Sequence, residues 1–426
     1  MVSKMSKIKI IANNNLIINN KIENEDYRDL LNQIKSLNFK GSENLEFDDI
    51  AINYSINGID KIIEYCNLIY SNNVEYLIVW SSKNTELALK SVLNYIFGLY
   101  DYNIDKKVKL LFLNSSDSKE VFKEKVNYYF NFSKGNNLAI MFLDGFNSKD
   151  DKDNLFYSNY LLDKFSRQAS NFLIKKLIYF VGKSTWLKYI DNFNIPNQNI
   201  FIVSEQINKT YNILTEICLI VLATQGVNII KLINGYKNAS KYILTNNLYF
   251  NNSLKLALYL NKFSKQEQKM KIRKSSLNLF IAYDDFLTNL MNLFANNFNQ
   301  KTLNKNTFND YAEFPGDISV LGQSILSNNI NKLVVYFKIK QKYFDFQLSS
   351  NADYNDLLTN FSNLTMQQFN EISYKSFDNY LTSFNDDVTS LCVEIEKNDE
   401  ESLGELISLL YWSKIFYCVL NDINPF

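Results

Sequence analysis

Residues 401–426 read ESLGELISLLYWSKIFYCVLNDINPF, and this stretch decides the fold. Leu403, Leu406, Ile407, Leu409, Leu410, Ile415 and Val419 fall on every side of the helix expected over 402–420. A surface helix keeps one polar face; a helix apolar nearly all round is buried. Its most apolar part, Leu406 to Leu420, carries Lys414 and is shorter than the roughly 20 residues needed to span a bilayer. No membrane insertion is expected. Pro425 then sets a turn behind the helix.

A helix buried on all sides needs a large body around it, and the chain upstream supplies one. VEYLIVW leads into SSKNTELALKSVLNYIFGLY, and KVKLLFLN into SSDSKEVFKEKVNYYFNF. NLAIMFL, KLIYFVG, NIFIVS, SLNLFIAY, NKLVVYFKI and VTSLCVEIE are further short apolar runs, separated by amphipathic segments. In DDFLTNLMNLFANNF, residues Phe286, Leu290, Phe294 and Phe298 repeat at helical spacing. Short apolar strands alternating with amphipathic helices specify βαβ units and parallel sheets covered on both faces. The expected organisation is an N-terminal helical and arm segment over 1–50, a first α/β domain over 51–235, and a second over 236–426 ending in the buried helix.

Composition narrows the function classes. The chain has 426 residues, 46% hydrophobic and 15% aromatic, enough for two cores. Lys+Arg and Asp+Glu balance at 45 each without a basic stripe, so nucleic acid is not expected as a partner. Cys66, Cys218, Cys392 and Cys418 have no metal or disulfide spacing and no secretory signal precedes them, so they read as buried thiols of a cytoplasmic protein. Only 11 glycines and 3 prolines occur against many Asn, Ile and Lys, a bias typical of an AT-rich genome. Histidine is absent, which closes every mechanism that needs an imidazole.

Local motifs have plainer readings. GKST at 182–185 has Leu177 where a phosphate loop needs its first glycine, so Gly182 is expected to open a helix after a strand. KDDKDN at 149–154 and KQEQKMKIRKSS at 265–276 mix their charges and read as solvated surface. Asp284 and Asp285 stand at a helix start, where carboxylates favour the macrodipole, and capping is the role expected of them. No cofactor and no metal are expected.

The ESLGELISLLYWSKIFYCVLNDINPF segment closely resembles the end of bacterial glucose-6-phosphate isomerases. EFPGDISVLGQSILSNNIN at 313–331 is similar to the family's Asp-Leu-His-Ser-Met-Gly-Gln segment and its following helix. The order of strands and helices matches over most of the chain. The resemblance implies two sugar-isomerase (SIS) domains, each a flavodoxin-like three-layer αβα sandwich. It also implies interconversion of glucose 6-phosphate and fructose 6-phosphate. In that family a glutamate moves the proton, a histidine with a lysine opens the ring, an arginine steadies the enediolate, and Gly- and Ser/Thr-rich loops hold the phosphate at helix N-termini.

Carried over position by position, the family's chemistry is missing. Its Gly-x-Gly-Gly-Ser turn falls on Trp80, Ser81, Ser82, Lys83 and Asn84. Its phosphate loop falls on Leu143 to Asp150 and brings Asp144, Gly145, Asn147 and Ser148, with Asp144 and Asp150 expected to repel a phosphate. The arginine becomes Thr210 beside Lys209, the glutamate Asn296 and the histidine Ser319. Asp317, Gly322 and Gln323 persist around Ser319 as helix-start and packing residues. The family's ring-opening lysine follows Asn-Pro-Phe, where this sequence ends. The expectation is a catalytically degenerate isomerase-like protein, a structural or bridging subunit of a cytoplasmic assembly. Its partners would be other protein subunits, with a homodimer as one option. The alternatives are an isomerase with relocated catalytic groups and a sugar-phosphate sensor.

Overall fold

The computed structural model describes residues 6–12, 25–54, 56–99, 105–133, 137–146, 151–167, 176–269, 276–300, 307–326, 331–342, 345–348, 363–384 and 388–426. Asn147, Ser148, Lys149 and Asp150, and residues 270–275 of the basic run, lie outside the described residues. The chain divides into two compact units, residues 43–233 and residues 1–42 with 234–426. Their described strands are β1 (Ile8–Ala12), β2 (Tyr76–Ser81), β3 (Lys109–Asn114), β4 (Leu138–Phe142), β5 (Ile178–Lys183), β6 (Ile200–Val203), β7 (Ser276–Ala282), β8 (Thr307–Glu313), β9 (Asn331–Gln341) and β10 (Val388–Lys397).

In the 43–233 unit the sheet order is β3-β2-β4-β5-β6, with every pair parallel. Counted from β2 this is 2-1-3-4-5, the flavodoxin order expected of an SIS-type sandwich. The whole of β2 and β4 is buried, as both faces of a parallel sheet must be. Tyr76, Ile78 and Trp80 alternate onto one face, against Phe122, Val126 and Phe130 of helix Lys119–Phe132 and Leu161 and Phe165 of helix Asp151–Ser166. Helices Ile56–Ser71, Lys83–Phe97 and Glu216–Thr224 pack together as a second helical layer.

The other unit repeats the plan with one exchange. Its order is β1-β10-β9-β7-β8, so β8-β7-β9-β10 reproduces 2-1-3-4 in parallel. The fifth place is taken by β1, antiparallel to β10, with Ile8 opposite Ile395 and Ile10 opposite Val393. The N-terminal segment, expected as helix and arm, thus contributes a strand before helix Glu25–Lys35. The physical reason is the open edge of β10, whose N–H and C=O groups need partners. Ile8 and Ile10 are buried while Lys9 and Ile11 are exposed, the alternation of a half-buried strand. Residues 43–50, grouped with the arm in the sequence reading, fall in the 43–233 unit.

The buried helix runs Glu400–Leu420, and Ser402 to Cys418 are all buried. It is long and apolar enough to cross a membrane, longer than the sequence suggested, yet 89% of its apolar window is covered by the fold. Asp399 caps its start by accepting from the Ser402 N–H at 2.7 Å. Gly235 lies directly on the Glu401 carbonyl, where any Cβ would collide. At the far end, Asp422 adopts φ +54°. The Ile423 N–H then bonds the Cys418 carbonyl at 2.8 Å and the Asp422 N–H bonds the Val419 carbonyl at 3.1 Å, a Schellman closure.

Candidate functional site

In a doubly wound sheet, ligands bind outside the carboxyl ends of the strands, where the strand order reverses. In the 43–233 unit that place lies between the ends of β2 and β4. It contains Trp80 to Asn84, matched to one of the family's loops, and Leu143 to Phe146, the described part of the other. Helix Lys83–Phe97 starts here, with Ser82 as N-cap accepting from the Thr85 N–H at 3.3 Å.

This corner is filled. Trp80 is fully buried, with ring centroids 5.3 Å from Phe142 and 4.6 Å from Phe146. Gly145 lies flat against the indole, so that an added Cβ would sit 3.0 Å from the ring. The one glycine kept in this loop serves Trp80. The indole Nε1 is buried without a hydrogen-bond partner, and so is the Ser81 hydroxyl. Lys83 is exposed on the first turn, beside a partly buried Asn84.

The expectation that Asp144 faces an incoming phosphate is corrected by the structure. Asp144 is fully buried and turned inward. Its Oδ1 accepts from the Ser82 N–H at 3.0 Å, and its Oδ2 from the Ser82 and Thr85 hydroxyls at 2.9 and 2.6 Å. Asn212 in turn donates to the Thr85 oxygen. The Lys209 ammonium bonds the main-chain carbonyls of Asp144 and Phe146 at 2.9 and 3.0 Å. It ties this loop down and is not held out over an open cleft. Thr210 sits half-buried on the same short 3-10 turn, its N–H bonded to Asn208 at 2.8 Å.

A second turn behaves the same way. GKST does not open an α-helix at Gly182: β5 runs through Gly182 to Lys183, and a 3-10 helix, Ser184–Tyr189, follows. The Glu205 carboxylate accepts from the Ser184 hydroxyl at 2.8 Å, the Thr185 N–H at 3.1 Å and the Thr185 hydroxyl at 3.0 Å. Gly182 is required for packing, since a Cβ there would meet the Trp186 ring at 2.9 Å.

In the other unit, Asn296 is exposed on helix Thr288–Asn299, donating to Asn292 at 2.7 Å. Ser319 is exposed on helix Ile318–Leu326, and its hydroxyl donates to the Gly316 carbonyl at 3.4 Å. Asp317 accepts from the Glu313 N–H at 2.8 Å and buried Gly322 packs its helix; both serve structure. Glu313, at the end of β8, accepts from the Thr288 hydroxyl at 3.0 Å, and burial raises its carboxyl above the ordinary range.

The strand order of this unit reverses between β7 and β9, and a cavity of about 670 Å³ opens beyond their ends. Asp284 lines it, which corrects the capping role expected from sequence. Its side chain caps nothing; it is buried, accepts from the Ile339 N–H at 2.7 Å and pairs with Lys342. Burial raises its carboxyl, against the pull of Lys342. Lys338 lies 2.8 Å from Glu371 and 4.5 Å over the Tyr374 ring. Burial opposes its charge, but the bond to Glu371 and the neighbouring charges, those of Glu371 and Glu394 among them, together hold the ammonium above its ordinary range. Sequence reading missed this cavity; the alternating lysines of KIKQK at 338–342, facing tyrosines and carboxylates from distant elements, were its only local sign. Among the described residues no His, Cys, Asp and Glu cluster of three or more is placed to hold a metal.

No protein-family model matches the chain. Individual proteins do. Glucose-6-phosphate isomerase of Mycoplasmopsis pulmonis is 22% identical over 432 residues, covering 96% of this chain and 94% of its own. That of Mesomycoplasma hyopneumoniae strain 7448 is 25% identical over 420 residues, covering 94% and 92%. Among solved structures, a hypothetical protein from Thermus thermophilus superposes with a TM-score of 0.76 over 93% of this chain and 90% of its own, at 13% identity. A glucose-6-phosphate isomerase from Chlamydia trachomatis superposes with a TM-score of 0.69 over 94% and 81%, at 11% identity. Likeness to proteins named glucose-6-phosphate isomerase thus runs along nearly the whole length, and with two SIS-type sandwiches it supports a divergent member of that family.

Proposed function

We propose that this chain is a non-catalytic member of the family, a structural or bridging subunit of a cytoplasmic multiprotein assembly whose partners are other protein subunits. The observation that carries the reading is the corner at β2 and β4, where Trp80, Phe146 and Asp144 take the space and the hydrogen bonds that a sugar phosphate needs. Further points support it. Asn296 and Ser319 stand at the family's proton-transfer and ring-opening positions, neither is an acid or base near neutral pH, and the chain has no histidine. Losing a general acid or base costs about 10²- to 10⁴-fold in rate, and losing phosphate binding removes the energy that positions the sugar. The intact cores keep a large surface available for protein contacts.

The test has two arms. Purified protein at high concentration is assayed for conversion of fructose 6-phosphate to glucose 6-phosphate with a coupled dehydrogenase; turnover defeats the non-catalytic reading. Affinity isolation from native cells at physiological salt tests the assembly role, and recovery of the chain alone, as monomer or homodimer, defeats that part. Relatives bearing the name glucose-6-phosphate isomerase favour an active enzyme as the second reading. That reading requires Lys209 to leave the carbonyls of Asp144 and Phe146.

A further inference from the structure

Along β9, Val334 and Tyr336 belong to the core, and the same face of the strand carries Lys338 and then Lys340. Lys342 follows just past the strand end, so this face becomes a row of ammonium groups where it reaches the cavity of about 670 Å³. A carboxylate from a different element answers each of them. Asp284, past the end of β7, pairs with Lys342. Glu371, on helix Met366–Phe384, lies 2.8 Å from Lys338. Glu394 of β10, in register beside Lys338, lies 3.7 Å from it and 3.9 Å from Lys340. Asp345 accepts from the Gln367 N–H at 3.0 Å, at the positive end of helix Met366–Phe384. Among the described residues, every charge lining the cavity is thus matched.

A matched wall selects against a ligand of one sign. A lone anion must draw an ammonium off its carboxylate, and a lone cation must do the reverse. Either leaves a charge uncompensated, at high cost. A molecule that bears both an ammonium and a carboxylate exchanges one ion pair for two and leaves no charge over. The pair open to exchange is Lys340 with Glu394, the longest of the wall at 3.9 Å. Its side chains are 62% and 22% exposed, against 11% and 3% for Lys342 and Asp284, so Lys340 can swing aside while the deeper pair stays closed. Ile339, Leu364 and Ile372 make the neighbouring wall apolar. We propose that this cavity binds a free α-amino acid with an apolar side chain, its ammonium on Glu394 and its carboxylate on Lys340. The place, beyond the strand ends where the order reverses, and the volume are those of a small-molecule site. All of its residues fall within 283–394, so the site is independent of the β2 and β4 corner and of the non-catalytic reading.

The probe is L-phenylalanine, with 3-phenylpropionate and phenethylamine as its two halves, each titrated into the full chain and followed by ligand-observed NMR. L-Phenylalanine is expected to saturate with a Kd of about 1–5 mM, in keeping with a ligand of its size. Each half is expected to bind at least about 10-fold more weakly, since it meets only one of the two charges. Lys340→Met and Glu394→Gln change side chains that water already reaches, and each is expected to weaken L-phenylalanine about 10-fold. Ile372→Trp, at an exposed residue of the cavity wall, is expected to abolish binding by filling the space, with the far-UV circular dichroism spectrum unchanged. Absence of saturable L-phenylalanine binding by wild type up to about ten times that Kd overturns the proposal. A half that binds as tightly as the whole, or unchanged binding in any folded variant, overturns it too. No readout involves isomerase turnover, so failure here is distinct from failure of the functional reading.

Discussion

Gly41 lies directly beneath the Asn424 side chain, at φ +85°, with the Phe426 ring as its next neighbour. Asn424 also accepts from the Phe426 N–H at 2.8 Å, and Lys40 bonds Asp422. The Asn-Pro-Phe turn is thus a packed feature, clasped by residues 40 and 41. A side chain at 41 suffers both an unfavourable backbone angle and a collision. Gly41→Ala is expected to cost about 1–3 kcal/mol in urea denaturation; a loss below the error of that measurement would refute the clasp.

Trp80 is the largest side chain filling the β2 and β4 corner. Trp80→Ala is expected to cost about 3–5 kcal/mol, since it removes three aromatic contacts and leaves a cavity. Chemical denaturation monitored by far-UV circular dichroism measures this. The variant is not expected to gain isomerase turnover.

Restoring the family's residues one at a time is expected to restore nothing. Asn296→Glu and Ser319→His place an acid or base on exposed helix faces, while the phosphate corner stays closed. Both variants, and the double variant, should remain inactive in the coupled assay. Turnover from either would show that the corner is not what blocks catalysis.

Asp399 gives a pH dependence with a defined sign. Burial opposes its charge, but the Ser402 N–H and the Lys7 ammonium together hold its carboxyl below the usual range. A folded value below the unfolded one means stability fully present above the unfolded value and lost as pH falls through the folded one. Asp399→Ala is expected to cost about 0.5–2 kcal/mol at neutral pH and to flatten the acid limb of the stability profile. An unchanged acid limb would remove Asp399 from that account.

All four cysteines are buried. Burial pushes the Cys66 and Cys392 thiols up to about 12, Cys418 to about 11, and Cys218 well above its ordinary value. The thiolate is the reactive form, so a disulfide reagent at mildly alkaline pH should titrate none of them in the native protein and all of them after unfolding. Rapid native modification would contradict the packing.

Much of the fold was legible because period and burial write themselves into sequence. β2 and β4 are continuous apolar runs, as strands buried on both faces must be, and helix Glu400–Leu420 has no polar face because it has no solvent. β1 was not legible, because the short alternation in IKII means little until β10 offers an edge near the other end of the chain. At the site, the identity of each lost residue was readable, but its new occupation was not. Asp144 as a charge suggests repulsion from a phosphate; only its turn toward Ser82 and Thr85 makes it a structural acceptor. Asp284 likewise looked like a helix cap until Ile339 and Lys342 approached from another strand and its exit.

The pairing of β1 with β10 imposes an order on synthesis. Residues 43–233 form a contiguous unit that can close as soon as its own last helix has left the ribosome. Ile8 and Ile10 emerge before the whole of that unit, yet their partners Ile395 and Val393 emerge long after it. At about 5–20 residues per second, the N-terminal strand waits roughly 20–80 s with its apolar face uncovered. During that interval it is a strand in search of an edge, on a chain whose first domain has already folded. Nascent chains of this protein are therefore exposed to mispairing at β1, and a chaperone that holds this strand until β10 is made would protect the sheet that closes after residues 43–233.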